Sequence, residues 1–80
     1  MHMKTLVEIC GWYGTAAIVL AYVLVSFAIL PASSIWYQVL NGTGAVGIIV
    51  DAFYKKDYQP GVLNVIWLIV AVVAIVRMFQ

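Results

Sequence analysis

Charge is what this sequence has least of. Lysine and arginine number 4, aspartate and glutamate 3, and charged residues make up 9% of the 80 against 66% hydrophobic. A soluble domain this short has a poor surface-to-volume ratio and needs a surface that is about 25–35% charged. The composition excludes one. The charges are also clustered: Lys4 and Glu8 lead, Asp51, Lys55, Lys56 and Asp57 form one group, and Arg77 stands near the end. A net charge of +1 with no basic stripe argues against a nucleic-acid partner. Cys10 is the single cysteine, which excludes an intramolecular disulfide and a cysteine metal cluster. At the start of an apolar run it reads as a small buried thiol. His2 is the single histidine and reads as an exposed terminal residue, so no metal site and no cofactor are expected. The same scarcity argues against an enzyme: no Ser-His or Cys-His pair lies within the apolar runs, and Glu8 and Asp51 have no evident partners for a two-carboxylate mechanism.

What remains are long uncharged runs, and runs of about 18 apolar residues or more are membrane-span candidates. Ile9 to Leu30 exceeds the roughly 7–15 residues of a secretory h-region, so it reads as a retained helix. Three spans are expected, at about 8–30, 35–54 and 60–79, making residues 1–80 one three-helix, all-α, polytopic membrane domain. Pro31-Ala-Ser-Ser34 should stop the first helix and cap the second, and Pro60 suits a first helical position. Helices are favoured over strands because in lipid each backbone polar group needs an internal partner and these runs do not alternate. Three spans place the N-terminus and the 55–59 loop on one side with Lys4, Lys55 and Lys56, opposite Arg77, which predicts a cytoplasmic N-terminus. Trp12, Tyr13, Trp36, Tyr37, Tyr54, Tyr58 and Phe79 fall near span ends, as interfacial anchors do.

Small and polar residues within the spans mark faces that should meet protein. Gly14, Ala17, Ala21 and Ala28 form a small-residue stripe on the first helix, and Gly11, Thr15, Tyr22 and Ser26 a more polar one. On the second helix Tyr37, Leu40, Asn41, Gly44, Gly47, Asp51 and Tyr54 share a broad face. The third offers Asn64, Trp67, Ala71 and Ala74 at helical spacing. Close packing of helices through Gly11, Gly14, Ala17, Ala21, Gly42, Gly44 and Gly47 is the plain expectation. The functional one is a solute pathway lined by Tyr22, Ser26, Asn41, Asp51, Asn64 and Trp67. Asp51 has Lys55 one turn later as a candidate ion-pair partner. Gly42-Thr-Gly44-Ala-Val-Gly47 spells a dinucleotide-loop pattern, but it lacks a preceding strand and an acidic residue about 20 positions on. No dinucleotide is expected there.

The order Gly11-Trp-x-Gly14, Ala21-Tyr22, Ser34-x-x-Tyr-Gln-x-Leu-Asn-x-x-Gly-Ala-x-Gly47 and Leu63-Asn-x-x-Trp67 resembles an uncharacterised bacterial family of small three-helix membrane proteins. The layout is similar, more distantly, to the SemiSWEET and PQ-loop transporters. Asn64 corresponds to the recurring asparagine of their third helix, while their second-helix tryptophan and first-helix proline-glutamine hinge have no counterpart here. That similarity implies a SemiSWEET-like bundle in the bacterial inner membrane, a homodimer that passes a small neutral solute. The alternative is an accessory or regulatory protein that docks on a larger membrane partner through its small-residue faces.

Overall fold

A computed structural model describes residues 2–80 as three helices, α1 (Met3–Ser26), α2 (Ile35–Tyr54) and α3 (Tyr58–Met78). Among the described residues there is no strand. α2 lies in the middle: α1 and α3 each pack along it, and among the described residues no Cα of α1 comes within 8 Å of one of α3. The described residues span 39 × 24 × 22 Å overall.

The helix ends follow local chemistry. Pro31 stops α1, but four residues earlier than its own position, since its ring collides with the carbonyl of the fourth residue before it. The helix ends at Ser26, with Phe27 as cap and Ala28 in the left-handed region at φ 59°. The Ile29 amide then donates to the Leu24 carbonyl at 2.8 Å and the Ala28 amide to the Val25 carbonyl at 3.1 Å, the paired bonds of a Schellman cap. The first span is thus displaced toward the N-terminus from the expected 8–30. Ala28 falls outside the helix and leaves the small-residue stripe, and Trp12 and Tyr13 move from the span's end toward its middle. α2 begins where expected, with the Ser34 hydroxyl accepting from the Trp36 amide at 3.2 Å. It ends on a second Schellman cap with Lys56 left-handed at φ 58°. α3 starts two residues before Pro60, which sits where the missing N–H would have had no helical partner.

α1 and α3 are long and apolar enough to cross a membrane; α2 has the length but falls short in apolar content, so two of the three expected spans stand out as candidates. Gln38, Asn41, Thr43, Asp51 and three glycines dilute its apolar content. The middle position explains why: α2 alone has neighbours on two sides, so its surface is spent on helix contacts.

Those contacts are built on small residues. Gly11, Gly14, Ala17 and Ala21 are all buried on one face of α1, so the division into two stripes does not hold and Gly11 belongs with the packing face. α2 divides its glycines between two partners. Gly44 and Gly47 face α1 so closely that a Cβ on Gly47 would meet the Cys10 carbonyl oxygen, and one on Gly14 the Gly44 carbonyl oxygen. Gly42, about half a turn of helix away, faces Ala71 and Leu68 of α3. Approach at this range permits Cα–H···O=C contacts, about 0.5–1 kcal/mol each. At the far end of α3, Gly61 seats the Phe53 ring, which tilts against Tyr58 with centroids 6.0 Å apart.

Candidate functional site

Because α1 and α3 stand apart, a groove runs between them with α2 as its floor. It encloses about 350 Å³. α1 contributes Ile18 and Tyr22, α2 contributes Tyr37, Gln38 and Asn41, and α3 contributes Trp67, Val70 and Ala71. The lining therefore carries two carboxamides, two phenols and an indole, and no ionisable acid or base that is charged at neutral pH. Asn41 and Tyr37 are one turn apart on α2, which places an amide and a phenol on the same wall. Gln38 is steadied from outside, its Nε2 donating to the Ala32 carbonyl in the α1–α2 connector at 3.2 Å. Amides and hydroxyls on an apolar wall suit uncharged polar solutes, whose hydroxyls and carbonyls they can pair in either sense.

A second cleft of about 280 Å³ lies between α1 and α2 near the opposite end of α2. Glu8, Gly11, Trp12, Thr15, Asp51 and Lys55 line it. Lys55 Nζ sits 2.6 Å from Glu8 Oε1 on α1 and 3.1 Å from Asp51 Oδ1 on its own helix. The Asp51 pairing is the expected one; the Glu8 link across helices appears only in three dimensions. Oδ1 of Asp51 is buried without a hydrogen bond, so Lys55 holds it by charge rather than by an aligned donor. The rest of the Asp51 side chain lies over Gly11, where any Cβ would collide with it. The Glu8 carboxylate that accepts from its ammonium, and Asp51 beside it, hold Lys55 above the usual lysine pKa.

The six expected pathway residues are thus separated. Tyr22, Asn41 and Trp67 come together in the groove, and Asp51 lies in the other cleft. Ser26 is the last residue of α1, exposed, and lines neither. Asn64 is buried with its Nδ2 donating to the Pro60 carbonyl at 2.8 Å, so it steadies the first turns of α3 and lines neither cavity. Gln38 is the polar lining residue that sequence reasoning missed, its spacing of three from Asn41 being the available signal, and Tyr37, placed on the Asn41 face but not among the pathway residues, joins it there. Another polar link joins the helices where Tyr13 Oη and Thr43 Oγ1 lie 2.7 Å apart, while Thr43 also donates to the Val39 carbonyl at 2.8 Å. Among the described residues no group of three or more His, Cys, Asp or Glu could hold a metal ion.

Residues 7–80 match the model of a protein family whose function is uncharacterised. The chain belongs to that family. The match takes in α2, α3 and α1 from Val7 onward, with both cavities and the glycine crossing. No curated protein and no solved structure matches the chain.

Proposed function

We propose that the chain is an integral membrane protein crossing the bilayer with all three helices, and that two copies set their α1–α3 grooves together around a path for a small uncharged polar solute. Membrane placement is supported by where the apolar surface lies. The apolar windows of α1 and α3 are only 22% and 17% buried, unlike the core helices of a soluble protein. At 1.5 Å per residue the three helices are about 36, 30 and 31 Å long, matching the ~30 Å hydrocarbon core. α2 crosses between them, its polar groups turned to its neighbours and to the groove.

The observation that carries the solute path is the groove itself. Its amides and phenols open to the outside of an otherwise apolar layer, and an amide left facing hydrocarbon costs several kcal/mol by transfer estimates. A second copy across a two-fold axis, the commonest homo-oligomer, covers that opening and doubles the polar lining. The test is solute uptake into proteoliposomes with a panel of neutral polyols and sugars beside charged solutes, with crosslinking to count the copies. Neutral solutes should enter, and Asn41→Ala and Gln38→Ala should each reduce entry at least tenfold in protein that still assembles. A monomer with no uptake overturns the proposal, and a stoichiometric larger partner without self-association favours the accessory role instead.

A further inference from the structure

The bridge made by Lys55 has a mechanical position that the solute path does not use. From Met3 to Cys10, α1 has one buried apolar side chain, Val7; Met3, Leu6 and Ile9 are exposed. From the Cys10 carbonyl onward the same helix is locked onto α2 by Gly11, Gly14, Ala17 and Ala21, with backbone against backbone at Gly14, Gly44 and Gly47. The first two turns therefore form an arm beyond a tight crossing. Val7 and the 2.6 Å contact of Glu8 with Lys55 are what hold it. Lys55 is suited to a reversible hold: it caps α2, its side chain is 42% exposed, and the next residue already turns away in the left-handed region.

We infer that Glu8, Lys55 and Asp51 form an ionic latch that clamps the N-terminal arm of α1 onto α2, and that discharging Glu8 frees the arm and widens the cleft between the two helices. The groups acting on the lysine are Glu8 from α1 and Asp51 from α2. Lys4 adds its field to Glu8 from one turn earlier, and Lys56 and Asp57 share the short connector. α3 carries one charged side chain, Arg77, in its last turn. Protonating Glu8 removes the ionic link from Lys55 to α1 and leaves Val7 alone to hold the arm. The cleft beside Trp12 and Thr15 then opens. Below the crossing the glycine contacts are uncharged and do not respond.

Amide hydrogen exchange on the purified full chain in detergent micelles tests the latch, with rates corrected for intrinsic chemistry. In the unaltered protein, protection of the amides of residues 6–10 should fall at least tenfold between pH 7 and pH 3, while that of residues 15–21 stays within twofold. At pH 7, Lys55→Met should reproduce the acid state in the arm, and Lys55→Arg, which keeps a cation in place, should stay within twofold of the unaltered protein. Equal protection of the arm at both pH values overturns the latch. So does parallel loosening of residues 6–10 and 15–21, which would mean that the helix has no separately held arm.

Discussion

Replacing Gly47 by alanine drives a methyl group into the carbonyl oxygen of Cys10, on the backbone of the neighbouring helix. No rotamer change relieves this, because the obstructing atom is main chain. An ordinary carbon–oxygen contact of about 3.3 Å is restored only if α1 and α2 part by something on the order of an ångström at the crossing. Overpacking of this kind costs about 1–3 kcal/mol, and the separation forfeits Cα–H···O contacts at Gly14 and Gly44 worth about 0.5–1 kcal/mol each. Alanine returns up to about 1 kcal/mol of helix propensity over glycine. The net for Gly47→Ala is a destabilisation of about 2 kcal/mol. Gly42→Ala supplies the internal control, since the same methyl would stand 3.5 Å from the Ala71 Cβ and 3.9 Å from Leu68 Cδ1, in ordinary contact. It should be neutral or stabilising by up to about 1 kcal/mol. Equilibrium unfolding in detergent micelles, followed by circular dichroism and by energy transfer between labels on α1 and α2, reads both. The same stability for the two variants would refute the close crossing of α1 and α2.

Two further outcomes follow from the helix ends and the charge bridge. Ala28→Gly and Lys56→Gly relieve a Cβ in the left-handed region at each Schellman cap and should each stabilise by about 0.5–1 kcal/mol in the same unfolding assay; loss of stability would show that these caps do not form. Because Lys55 sits above the usual lysine pKa, its bridge contributes fully from neutral pH up to about 10.4 and fades as pH rises through the elevated value. Thermal unfolding from pH 8 to 11.5 should therefore show a loss in the unaltered protein that Lys55→Arg removes, and identical profiles would argue that Lys55 bears no load.

Much of the fold is written in local sequence. Three apolar runs, Ser34 before the second and Pro31 and Pro60 at the breaks give three helices with both ends of the second placed to the residue, because caps and breakers act over a few residues. Where the first helix ends was misplaced because Pro31 acts through a carbonyl four residues back, and the chain reached the turn through a left-handed alanine that carries no sequence mark. The site was legible only in part. Tyr22, Asn41 and Trp67 stood out as polar or amphipathic residues in apolar runs, whereas Asn64 looked the same and turned out to bond to its own helix.

By itself the sequence determined the class of structure: three apolar runs parted by breakers give an all-helical chain of three helices. It also marked the glycines of the second helix as contact points, since glycine within a helix needs a packing reason. Only the tertiary structure decided which neighbour each glycine serves, that α2 rather than α1 or α3 takes the middle, and that Lys55 reaches Glu8 forty-seven positions away. Helical periodicity fixes the direction of a side chain about its own axis but says nothing of which helix lies there. Partner choice is settled by fit between two surfaces, and that fit exists only once the helices have met.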